Sequence, residues 1–297
     1  MSYVSSIALF CLMSLIASDQ RTTRTPQDFS DTAFVSAVAF CFDLSNNLYV
    51  LDEGQNIVFK FSNEGKLIRT AGGYGWSNVE FDHPKDISSP NDLDIYISDY
   101  GNHRIVRIDR NLNFIFELPS PDEQLPSERL FGYPYSIAVD GIGELFIVDK
   151  ENNRIVKVGT SNEIERTFGG IDAGKGSLYN PSRIRVSERN LVYVQDGNRL
   201  VIFDRFGNYS RSIGDGMFHH LRTFCIADSS IYVLDSCIIR KIDESSLGSR
   251  PLEEYILSDE CSTAVDIAVH DENIYILTRE KLFKHHADEL KKPHHDE

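Results

Sequence analysis

The feature that most constrains this chain is a strand–turn–strand unit that recurs along it. In its best copy, Ile95-Tyr96-Ile97-Ser98-Asp99 alternates as a pleated strand does. Tyr100-Gly101-Asn102-His103 supplies turn formers, and Arg104-Ile105-Val106-Arg107-Ile108 resumes the alternation. Leu145 to Asp149 leads in the same way through Asn153-Arg154 into Ile155 to Val158, and Val192 to Asp196 through Asn198-Arg199 into Leu200 to Asp204. Fainter copies carry Asp52, Asp235 and Thr278 at the same point. The anchors Asp52, Asp99, Asp149, Asp196, Asp235 and Thr278 are spaced 47, 50, 47, 39 and 43 residues apart. Several strands per unit, no helical periodicity and a repeat of this length imply a β-propeller.

Each unit opens with a leading segment, then an innermost strand, the two strands just described, and a fourth that often ends in Gly. The sixth unit shows no fourth strand after Lys284, and an open ring would expose two sheet edges. Residues 19–33 are therefore expected to be a linker or to supply the closing strand. The expectation is an all-β fold, a six-bladed β-propeller of four-stranded antiparallel blades over residues 34–285. A polar, His-rich tail follows at 286–297.

The formal net charge is −15 and no basic cluster offsets it, which disfavours a nucleic-acid surface. Residues 1–18 lack any charged side chain, and Ile7 to Ala17 is an apolar run too short to span a bilayer comfortably. This reads as a signal peptide that departs from the usual pattern by having no Lys or Arg before the run. The chain is accordingly expected to be secreted or extracellular, without stable membrane insertion and monomeric. The alternative is a cytoplasmic chain whose residues 1–18 are not a signal peptide. Cys41, Cys225, Cys237 and Cys261 show no metal-ligand spacing. Asn208-Tyr209-Ser210 is a glycosylation sequon in a polar turn, which makes Asn208 a candidate modification site.

The units resemble the NHL repeat, named for its Asn-His-Leu element. Phe81, Pro84, Ile87, Ile95 to Asp99 and Gly101-Asn102-His103-Arg104-Ile105 carry the resemblance best, followed by Asp149 with Asn153-Arg154-Ile155 and Asp196 with Asn198-Arg199-Leu200. The resemblance implies a six-bladed propeller of a family that commonly recognises proteins or RNA, and the charge argues against RNA here. It implies no reaction, because one fold hosts many functions. The recurrent Asp and Asn-Arg are expected to be structural, accepting turn amides and pairing with one another.

Alternate residues of the innermost strands should line a central channel. Asp86, Ser136, Arg183, Thr223 and Asp266 form one layer, and Ser88, Ala138, Arg185, Cys225 and Ala268 the next. Asp86 and Asp266 would face Arg183 across the channel, as a structural charge network or as a small anion or metal site. The loops leading into the blades gather on one face and bring Tyr74, Trp76, His83, Tyr133, Tyr135, His219 and His220 together as candidate binding residues. Function is therefore expected to be that of a non-enzymatic binding scaffold for a protein or peptide, with no cofactor. The alternative is a metal-dependent propeller enzyme resembling peptidyl-hydroxyglycine lyase. That family's pattern places a His directly after each blade-leading Pro, where this chain has Lys85, Tyr135 and Ser182, so no catalytic or metal-ligating set is singled out. Cys237, in a turn of the fifth blade, and Cys261, in the loop to the sixth, emerge on the same face. They are expected to form a disulfide in an oxidising compartment.

Overall fold

The computed structural model describes residues 27–91, 93–119, 131–245, 251–257 and 259–290. The apolar segment 1–18 and the tail residues 291–297 lie outside them. β1 (Gln27–Asp28) comes first. Blade one is β2 (Ala37–Phe42), β3 (Leu48–Asp52), β4 (Ile57–Phe61) and β5 (Leu67–Gly72). Blade two is β6 (Asp86–Ser88), β7 (Asp94–Asp99), β8 (Arg104–Asp109) and β9 (Phe114–Pro119). Blade three is β10 (Pro134–Val139), β11 (Leu145–Asp149), β12 (Arg154–Val158) and β13 (Ile164–Phe168). Blade four is β14 (Pro181–Val186), β15 (Leu191–Asp196), β16 (Arg199–Asp204) and β17 (Tyr209–Ile213). Blade five is β18 (Leu221–Ala227), β19 (Ser230–Asp235), β20 (Ile238–Asp243) and β21 (Glu253–Ile256). Blade six is β22 (Ala264–His270), β23 (Asn273–Thr278) and β24 (Leu282–His286), with β1 as its fourth strand. The fold is a six-bladed β-propeller of four-stranded antiparallel blades.

The alternating pattern suggests strands with one dry face, yet β3, β7 and β11 are buried at every position. The reason is that each blade is covered on both faces by its neighbours. In β3, Leu48 and Val50 pack toward blade six with Tyr275 and Leu277, while Tyr49 and Leu51 pack toward blade two with Ile95 and Ile97. Equivalent clusters fill the other junctions, as Ile137 with Ile105, Phe146 with Val194, Tyr193 with Val233, and Leu234 with Ile276. Each such side chain removed from water contributes about 2 kcal/mol. The ring is held together chiefly by contacts between blades.

β1 closes it. Gln27 pairs with Lys284 and Asp28 with Phe283. The Phe29 N–H donates to the Leu282 carbonyl at 2.8 Å. Lys281 Nζ reaches Asp28 Oδ2 at 2.7 Å, and the Phe29 ring meets Tyr275 edge-on at 5.8 Å. Gly65, in the β4–β5 turn at φ +79°, leaves room for the Phe29 carbonyl oxygen, with which any Cβ would collide. The polar tail is partly built into the domain. His286 ends β24, and a helical turn, α1 (Ala287–Leu290), rests Ala287 and Leu290 on the junction of blades five and six. No helix among the described residues is long and apolar enough to cross a membrane.

Candidate functional site: the channel mouth and the loop face

The repeat's aspartates anchor the loops that lead into the blades. Asp52 accepts the N–H groups of Val35 and Ser36 at 2.7 and 3.0 Å. Asp99 accepts that of Asp82 at 2.8 Å, Asp149 that of Gly132 at 3.2 Å, and Asp196 those of Tyr179 and Asn180 at 2.8 and 2.6 Å. Asp235 holds His219 and His220 at 3.0 and 2.6 Å. The arginine of each matching repeat then pairs with the same carboxylate, as Arg104 Nε on Asp99 and Arg154 Nε on Asp149, both at 2.9 Å. These residues are structural, and they fix the loops of that face.

Four charges meet in the channel. Arg183 Nη1 lies 2.7 Å from Asp266 Oδ1 and 4.0 Å from Asp86 Oδ1. Arg185 Nη1 lies 3.1 Å from Asp86 Oδ2, and its Nη2 is 3.9 Å from Asp266 Oδ2. Sequence layering separates Arg185 from the carboxylates; the long guanidinium side chain instead reaches back and joins them. Burial alone pushes the Asp86 carboxyl up, but Arg185, Arg183 and the Ser136 hydroxyl outweigh it and hold it below the usual carboxylate range.

The same carboxylates stitch blades together. Asp86 Oδ2 accepts the Ile137 N–H at 3.1 Å and the Ser136 hydroxyl, Ser136 Oγ accepts the Ile184 N–H at 3.1 Å, and Asp266 Oδ2 accepts the Phe40 N–H at 3.2 Å. These bonds of the network link blades two, three and four, and blades six and one, while the buried Arg183 Nη1 has no hydrogen-bond partner among the described residues.

Above it opens a mouth of about 410 Å³. It is lined by Val38 and by the residues immediately before Asp86, Ser136, Arg183, Thr223 and Asp266, namely Lys85, Tyr135, Ser182, Arg222 and Val265. Of the predicted loop-face residues, Tyr135 and His220 line the mouth. Tyr133 stacks beside it on Tyr100 and His103, at 4.9 and 4.2 Å between ring centres. His83 is exposed, its N–H bonded to Asn56 Oδ1 and its ring to Asp82. His219 is exposed, and its carbonyl accepts Asn198 Nδ2 at 3.0 Å.

Tyr74 and Trp76 are not mouth residues. They stand on the outer part of the face, 69% and 76% exposed. Their loop is nonetheless fixed: Arg104 donates to the carbonyls of Trp76, Ser77 and Glu80 at 3.0, 3.2 and 2.8 Å, and Asn102 Nδ2 to that of Gly75 at 2.8 Å.

The remaining candidates lie elsewhere. Cys237 and Cys261 form a disulfide, with Cα atoms 5.0 Å apart. Cys41 and Cys225 are free, and burial pushes both thiols up, Cys225 to about 12. Protonated at neutral pH, they are poor nucleophiles. Asn208 is exposed, with its N–H and Nδ2 bonded to Asp204 at 2.9 and 2.8 Å, an arrangement repeated at Asp109 and Asn113. Among the described residues no group of three His, Cys, Asp or Glu side chains is placed to hold a metal ion.

No protein-family model matches the chain. NHL repeat-containing protein 3 of Mus musculus is 26% identical over 193 residues, 59% of this chain and 54% of that protein. Its Homo sapiens counterpart is 26% identical over 198 residues, 61% of this chain and 54% of that protein. The chain thus spans about half the length of the curated relatives it matches. Among solved structures, virginiamycin B lyase from Staphylococcus aureus superposes with a TM-score of 0.61 at 12% identity, covering 84% of this chain and 95% of the lyase. A streptogramin B lyase gives 0.65 at 11%, covering 88% and 96%. A chain of a nidogen/laminin complex gives 0.59 at 13%, covering 76% and 82%. At such identities these neighbours speak for the fold alone. Propeller architecture, recurrent Asp and Asn-Arg anchors and the curated relatives agree: the chain is a six-bladed β-propeller that resembles the NHL-repeat proteins.

Proposed function

We propose that this protein is a non-enzymatic binding scaffold that recognises a protein or peptide on the face formed by its blade-leading loops. The observation that carries the reading is the Tyr74–Trp76 loop. A large aromatic that gains no burial in its own fold, on backbone held by Arg104 and Asn102, is pre-organised to bury itself against something else. The apolar segment 1–18 and the Cys237–Cys261 disulfide support a secreted protein, since such a bond persists in oxidising compartments. The test is capture from extracellular fluid by the intact protein, with a Tyr74→Ala, Trp76→Ala variant alongside. Truncating a central aromatic anchor costs about 2 kcal/mol or more, so the captured partner should bind the variant roughly 30-fold more weakly at unchanged Tm. Equal capture by a folded variant would remove this loop from the binding surface.

A further inference from the structure

The channel mouth holds more positive charge than its network uses. Lys85 is neutralised by Glu53 and Arg183 by Asp266. Arg222 and Arg279 make no ion pair among the described residues, although both border the mouth. Arg222 Nη1 donates to the Ser262 carbonyl at 3.2 Å, while its buried Nε has no partner among the described residues. Gln195, 5% exposed in the wall, spends its Nε2 on the carbonyls of Leu221 and Arg222 at 3.0 and 3.3 Å and leaves Oε1 without a partner among the described residues. Both unpartnered atoms are buried in the wall of the mouth that the two guanidiniums border. The mouth also continues outward. Arg222, Ala264, Val265 and Arg279 line a second recess of about 380 Å³ between blades five and six, where Glu280 is the acidic neighbour. On a chain of net charge −15, this unneutralised arginine pair is a local exception.

We propose that the groove running from the channel mouth past Arg222 and Arg279 receives an acidic peptide segment. Its carboxylates meet the two guanidiniums, and its backbone runs along the wall from the mouth into the second recess. This rests on the binding-scaffold reading and names the partner's chemistry. An extended peptide fills both the mouth and the second recess and brings several carboxylates to the arginines, which a small inorganic anion does not. A nucleic-acid backbone needs a long basic track, and the surrounding negative charge repels it.

The test is a fluorescence-anisotropy titration of the full protein with a labelled, C-terminally amidated peptide of alternating Glu and Gly, and with its Gln-for-Glu counterpart. The acidic peptide should bind about tenfold more tightly than the neutral one, and its affinity should fall as salt is raised. Arg222→Gln with Arg279→Gln should weaken it about tenfold, the effect of losing roughly 1.4 kcal/mol. Arg279→Glu alone, at an exposed position, reads the charge without disturbing the interior. Equal binding of the two peptides, no binding of either, unchanged affinity in the arginine variants, or tighter binding of a single-stranded RNA probe would each overturn the inference. Capture that depends on Trp76 is measured separately, so the groove can fail while the loop-face reading stands, and the reverse.

Discussion

Blades two and six do the same job by different means. In blade two a fully buried carboxylate, Asp99, ties the leading loop to the second strand and pairs with Arg104. Blade six has Thr278 at that point, and its hydroxyl bonds only within its own turn, donating to the Lys281 carbonyl and accepting the Lys281 N–H, both at 3.0 Å, and accepting the Glu280 N–H at 3.4 Å. Its leading loop is instead fastened to blade five by the Cys237–Cys261 disulfide and the Leu257 N–H bond to the Cys237 carbonyl at 3.0 Å. Its outer edge is completed by β1. Where the repeat loses its polar anchor, covalent and long-range fastenings take over.

The comparison can be pressed at three points. Asp99→Ala should have the largest effect: it leaves the Arg104 guanidinium buried with only Glu117 as a counter-charge, at about 4 kcal/mol or roughly 10 °C of Tm. Calorimetry checks this, and a loss below about 1 kcal/mol would mean that the anchor is replaceable. Replacing Cys237 and Cys261 together by Ser should come next. With a sequence separation of 24, the bond is worth about 3 kcal/mol in the chain-entropy model. Denaturant unfolding reads it, and an unchanged midpoint would show that the sixth leading loop is held by packing alone. Thr278→Ala should do least, about 1 kcal/mol for the loss of its hydroxyl's bonds within one turn. A Thr278 effect as large as that of Asp99 would erase the distinction between the two blades.

Much of the fold was legible because its determinants are local. An Asp at a strand end followed by Asn-Arg is a turn chemistry, and its recurrence counts the blades. What the sequence could not convey depends on reach and on neighbours. Strand alternation places Arg185 in a layer of its own, but several rotatable bonds carry its guanidinium to Asp86. Trp76 and Tyr135 look equivalent in sequence, yet Tyr135 falls within β10 and lines the mouth, whereas Trp76 stays in a loop clamped by Arg104. Arg222 and Arg279 looked unremarkable, since blades five and six are where the repeat is faintest. Their juxtaposition follows from closing the ring.

That closure also dictates an order of events. The contact between Asp28 and Lys281 joins positions 253 residues apart. Blades can collapse pairwise from local contacts as the chain emerges, but the last ladder waits until both extremities exist. It then bears the largest loop-closure entropy in the molecule, and so belongs among the slowest steps to form. A chain paused before β24 would therefore present blade one with a bare flank and an unfilled hydrophobic junction, the state in which strand exchange with a second copy competes with self-closure.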